Sequence, residues 1–316
     1  MNRVDDKRSL GIGQALSAAA QWRLLLVWTL GLLVPTVVAA LPIWRLLAVR
    51  FDPSPRAADI ARHFDMLAFE DVIPAFGRSA APIMGGILAA ALVFALVQPL
   101  LAGVTLAAAR QPFEPLRTRT LLERGMAFYG RMFRLMLVSF VVLGGFIGAI
   151  GGGVGAITGK IAKHAVLEST ADRMGHLANA ITLIVFILVH ATIEAARAHL
   201  AADDQRRSAW RAWWSGVRLL AHRPGQVLGL YLGPTVVSLV VAFVLLAIRI
   251  RLVGSNAILF LLAFIVTQLA VAAIGWGRAA RLFALTDLMR GPVAVAPAAP
   301  TIPAHSPVPT PDSPVA

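Results

Sequence analysis

Three ionisable residues, His190, Glu194 and Arg197, stand at i, i+4 and i+7, so a helix carries them as one column on a single face. Ion pairing or proton relay is the chemistry open to such a column. The uncharged run before it ends at Ile193, which places Arg197 at the headgroups, Glu194 about one turn deeper and His190 about two turns deeper. An unpaired charge at the centre of a bilayer costs roughly 2.5–3.5 kcal/mol, so these groups require partners. Two readings follow: a polar site facing the bundle interior, of the kind that marks a transport path, or a Glu194–Arg197 pair near the surface with His190 as a neutral donor between helices. Gln98 and Gln268 precede Arg110 and Arg281 by 12 and 13 residues and so share a depth. They serve either as interhelical hydrogen bonds, each contributing about 0.6 kcal/mol, or as further lining of a polar cavity with His190 and Glu194.

A second constellation lies at the membrane surface. Trp210, Trp213, Trp214 and Val217 recur at helical spacing, with Arg207, Arg211 and Arg218 on another side. Indoles favour the headgroup layer, and each neighbouring arginine contributes about 1 kcal/mol toward anionic lipid, which makes this segment an interfacial helix. A third feature is the glycine stripe Gly144, Gly148 and Gly152, flanked by Gly151, Gly155 and Gly159, which lets another helix approach closely.

Other chemistries are excluded by residue type. The chain has no cysteine and no HExxH or GxSxG pattern, and GGGVGAITGK fails as a phosphate loop because Val154 and Ile161 replace required residues. No catalytic residue, metal or cofactor is expected.

The elements that must position these residues are membrane spans. With 58% hydrophobic and 14% charged residues, and a mean hydropathy of +0.75, the chain lies outside the range of soluble domains. Six runs lack Asp, Glu, Lys and Arg: Leu24–Trp44, Ser79–Ala109, Leu135–Gly159, Met174–Ile193, Pro224–Ile248 and Leu252–Gly277. Each has the roughly 20 residues that cross about 30 Å of hydrocarbon, and none alternates as a barrel strand does. The expected fold is an all-α, polytopic bundle of six transmembrane helices, over 22–46, 82–109, 133–158, 177–199, 226–249 and 254–283. That membrane domain, 22–290, is flanked by a cytoplasmic segment 1–21 with a short amphipathic helix and by a tail, 291–316, with eight prolines and little bulk that reads as disordered. The outer loop Phe51–Phe76 reads as one or two short helices on the outer surface.

The net charge of +13 does not signal nucleic acid, because the arginines gather at span edges and no basic stripe is interleaved with stacking aromatics. A cytoplasmic N-terminus puts 19 of the 29 Lys and Arg inside, and the C-terminus then lies inside too.

The inner ends of the even spans share a motif: LAAAR (Leu106–Arg110), IEAAR (Ile193–Arg197) and GRAAR (Gly277–Arg281). The starts of spans 1 and 3 also match, as QWRLLLV (Gln21–Val27) and MFRLMLV (Met132–Val138), whereas span 5 departs. Each odd span follows a helical segment, Leu10–Ala20, Leu116–Gly130 or Arg206–His222, a pattern of three helix-hairpin repeats.

On Gln98–Arg110, on GRMFRLML around Arg131 and Arg134, and above all on Glu194–Leu232, the chain resembles a group of bacterial six-span membrane proteins without an established activity. That group is distantly similar to the membrane domain fused to some glycerophosphodiester phosphodiesterases. Its members usually carry aspartate and tyrosine where this chain has Glu194 and Ala195. The resemblance implies architecture and a bacterial inner membrane, and no reaction. The function expected is non-catalytic: binding of anionic lipid at the cytoplasmic face, or of a membrane protein partner or second copy. The alternative is a transporter or channel lined by Gln98, His190, Glu194 and Gln268.

Overall fold

The computed structural model describes residues 10–55, 73, 74, 76, 77, 79–163, 168–202, 208–252 and 256–290. Their regular secondary structure is entirely helical: α1 (Ile12–Ala19), α2 (Trp22–Phe51), α3 (Ala80–Ala109), α4 (Thr118–Lys163), α5 (Glu168–Ala202), α6 (Ala209–His222), α7 (Pro224–Arg251) and α8 (Ala257–Arg290). Six of these, α2, α3, α4, α5, α7 and α8, are long and apolar enough to cross a bilayer. The chain is a multi-pass integral membrane protein. Most of the outer loop and all of 1–9 and 291–316 lie outside the described residues.

Consecutive spans pair as hairpins, α2 with α3, α4 with α5, and α7 with α8. The amphipathic segments sit at one end of the bundle, here termed the capped end. Each rests on the second span of another hairpin: the start of α4 on α3, α6 on α5, and α1 on α8. The third contact closes a ring. It is tied by the Leu10 amide donating to Asp287 Oδ2 (2.7 Å) and Trp276 Nε1 donating to the Leu16 carbonyl (2.8 Å).

Burial concentrates at the capped end. Every residue from Leu101 to Ala109 in α3 is buried, as is nearly all of Ala191–Ala201 in α5 and Ala279–Thr286 in α8. The runs are alanine-rich, and a methyl group lets helix backbones approach closely there, with larger side chains such as Leu106, Ile193 and Phe283 buried among the alanines. Toward the other end the spans carry large exposed apolar groups such as Phe243, Val141 and Phe260, the outer surface required in hydrocarbon.

Two expectations are corrected. The segment before span 3 is not a separate helix: α4 runs unbroken for 46 residues, because Gly130 alone, without a proline, does not stop it. The glycine stripe is also not where helices meet within the chain. Among the described residues a methyl group would find open space at Gly144, Gly148, Gly152, Gly155 and Gly159, and only Gly151 of these six lies against another helix, at Thr182. Close approach instead uses Gly103 against the Gly125 carbonyl, Gly216 against the Thr192 carbonyl, and Gly277 against Ser238. Gly216→Ala therefore forces α6 away from α5 and destabilises the protein by about 1–3 kcal/mol. Gly148→Ala meets nothing and leaves stability unchanged or raises it by up to about 1 kcal/mol. Paired thermal melts in one detergent check the contrast.

Candidate functional site

Glu194 is completely buried near the capped end of α5, where a carboxylate persists only with cations around it. Arg197, one turn along, donates from Nη1 to Glu194 Oε1 at 2.7 Å. Arg278 Nε lies 3.8 Å and Arg281 Nη2 4.0 Å from the same oxygen, both from α8. His190 Nε2 approaches it to 3.8 Å from one turn back. Three guanidiniums thus face one carboxylate, an excess of two positive charges before His190 is considered.

The two cations of α8 are steadied by different helices. Arg278 stacks over Trp28 of α2, with its Cζ 5.1 Å from the ring centroid, and donates from Nη1 to Gln98 Oε1 of α3 at 3.0 Å. Trp28 is fixed in turn by its Nε1 donating to Thr105 Oγ1 (2.9 Å). Arg281 lies over Tyr231 of α7 at 4.9 Å and donates to Thr235 Oγ1 (2.8 Å). The Tyr231 hydroxyl and His190 Nδ1 share a hydrogen bond of 2.9 Å, and Phe186 stacks on the imidazole at 5.5 Å. Five helices, α2, α3, α5, α7 and α8, therefore contribute to one polar cluster.

The cluster leaves hydrogen-bonding capacity unspent. Glu194 Oε2, Arg278 Nε and Arg281 Nε are buried and have no hydrogen-bond partner among the described residues. Separations of 3.8 and 4.0 Å are too long for hydrogen bonds, so Arg278 and Arg281 balance the carboxylate by charge without using those donors on it.

His190, Glu194, Arg197 and Gln98 come together here. Gln268 does not: it lines an apolar cavity of about 500 Å³ between α2, α3 and α8, with Pro35, Phe94 and Thr267. The sequence reading missed Arg278, Arg281, Tyr231 and Thr235. A usable signal existed, since aligning LAAAR, IEAAR and GRAAR puts Ala107, Glu194 and Arg278 at one repeat position, and opposite charges there mark an interhelical pair.

The tryptophan segment also differs from expectation. In α6 the face against α5 is Ala209, Ala212, Trp213 and Gly216, rotated from the face that the indoles suggested. Trp213 is buried and donates from Nε1 to Thr192 Oγ1 at 3.1 Å, so it is a packing residue and not a lipid-facing one. Small residues win that face because they let the backbones touch. Trp210 and Trp214 remain exposed, with Arg211 and Arg218, while Arg207 lies outside the described residues.

No family model, curated protein or solved structure matches the chain. Among the described residues no group of three or more His, Cys, Asp or Glu is placed to hold a metal.

Glu194→Ala strands the guanidiniums of Arg197, Arg278 and Arg281 and costs about 3–5 kcal/mol of stability. Adding Arg197→Ala to that variant removes one of the three charges and recovers part of the loss. A double-mutant cycle on melting temperature reads the coupling.

Proposed function

We propose that the protein is a non-catalytic component of a bacterial inner membrane, with its capped end toward the cytoplasm, that binds anionic lipid through the outer face of α6. The observation that carries this reading is the split of α6 into two faces. Trp213, Ala212 and Gly216 fasten it to α5, and the opposite side presents Trp210, Arg211, Trp214 and Ser215 around a shallow recess of about 460 Å³. Exposed indoles beside an arginine suit the headgroup layer, where the ring is half wetted and the guanidinium meets phosphate. The arginine-rich loops before α4 and α6 support the cytoplasmic orientation, since positive loop residues are retained on that side. The open glycine stripe on α4 leaves a surface for a partner helix or second copy.

A transport reading draws on the convergence of Gln98, His190 and Glu194. It is the weaker of the two, because the fourth expected lining residue, Gln268, faces a separate apolar cavity.

Native mass spectrometry of the gently solubilised chain is expected to retain anionic over zwitterionic lipid, and Arg211→Gln to reduce that preference about fivefold, given about 1 kcal/mol per interfacial arginine. Retention of both lipid types without preference overturns the reading. Because the chain lacks cysteine, single cysteines placed at Ser208 and Ser79 report topology directly. An impermeant thiol reagent added outside intact cells is expected to label position 79 and spare position 208.

A further inference from the structure

We propose that the cluster formed by Glu194, Arg197, Arg278 and Arg281 binds a protonated phosphate group, either the hydrogen phosphate ion or the phosphomonoester headgroup of a lipid. This cluster is separate from the α6 surface. Three guanidiniums around one carboxylate leave two uncompensated positive charges; hydrogen phosphate, a dianion that still carries a proton, balances that excess, and a phosphomonoester held as its protonated monoanion balances half of it. Guanidinium groups match tetrahedral oxyanions in shape, and Arg278 Nε and Arg281 Nε are buried donors without a hydrogen-bond partner among the described residues. The side chains of Arg197, Arg278 and Arg281 retain 12%, 18% and 11% exposure, so the cluster is not sealed.

Glu194 decides which oxyanion. Its Oε2 is a buried acceptor with no donor among the described residues, in a completely buried side chain. A P–OH group supplies that donor, whereas the oxygens of sulfate or of a phosphodiester carry no proton at neutral pH and would meet the carboxylate lone pairs. Inorganic phosphate keeps a proton throughout the physiological range, whereas a phosphomonoester, with its second ionisation near about pH 6, offers a P–OH at neutral pH only by taking up one proton from solvent as it binds. A site that combines arginine donors with one carboxylate acceptor therefore selects for the protonated group.

The test uses the full chain in nanodiscs of zwitterionic lipid, titrated with radiolabelled inorganic phosphate against unlabelled phosphate or sulfate. Saturable binding of one phosphate per chain is expected, with sulfate competing about tenfold more weakly. Arg278→Gln and Arg281→Gln are each expected to weaken phosphate binding about tenfold, and Glu194→Gln to bring sulfate close to phosphate. In discs doped with phosphatidic acid or phosphatidylglycerol, displacement of the label by phosphatidic acid alone assigns the site to a lipid monoester. No displacement by either lipid assigns it to the free ion. Two results overturn the proposal: no saturable phosphate binding together with no effect of phosphatidic acid, or equal competition by sulfate and phosphate in the unaltered protein. The sulfate comparison needs no variant and so stands even where a substitution prevents folding.

Discussion

Glu194 has no exposed surface, and the cations around it come from two helices that are not neighbours in sequence. The attraction between that carboxylate and Arg278 and Arg281 draws α5 and α8 together, and the residues that steady the arginines bring in α2, α3 and α7. Lipid offers no hydrophobic force between helices, so packing and polar contacts must supply the specificity. Leu–Leu contacts would leave several rotations of each helix about equally good. A charged group that must find its partner leaves far fewer.

This polar contact and the alanine-lined capped end depend on each other. Charge attraction falls with distance, and 3.8–4.0 Å between Glu194 and the α8 guanidiniums is reached only because Ala195, Ala196, Ala279 and Ala280 let the backbones approach. Gly216 and Gly103 extend the principle outward, to the amphipathic segments. The result is a tightly built half, where burial is nearly continuous along α3, α5 and α8, and a looser half whose side chains face hydrocarbon.

Spans could be read from the sequence because transfer free energy depends on composition over about 20 residues, and the runs ending at Ile193 and Gly277 leave no ambiguity. The column His190, Glu194 and Arg197 was legible for the same local reason, being a matter of helical spacing. What spacing within one helix cannot supply is the partner. Arg278 and Arg281 looked like ordinary span-edge arginines, and only the repeat alignment places Arg278 opposite Glu194. The α6 face was misread because hydrophobicity ranks tryptophan above alanine and glycine, whereas contact with the Thr192 backbone demands the reverse order. Gly144, Gly148 and Gly152 misled in the opposite sense, since a spacing that permits close approach does not say that a helix of the same chain occupies it.

The docking of α1 onto α8 bears on how the molecule assembles during synthesis. A ribosome delivers residues 12–19 first among the described helices, yet the surface that they and Leu10 cover, on α8 near Trp276 and Asp287, emerges only after the other five described spans. Until then the apolar side of α1 has only the contact of Ile12 with Gly233 of α7 and shelters at the membrane surface, and Glu194 has entered the bilayer with Arg197 as its sole strong counter-charge among the described residues. Insertion of α8 resolves both defects together, since one helix carries the dock for α1 and the two missing guanidiniums. α8, the last of the six described spans to leave the ribosome, thus commits these helices to their final packing, and a chain stalled before it would display both an undocked helix and an under-neutralised acid to quality-control proteases.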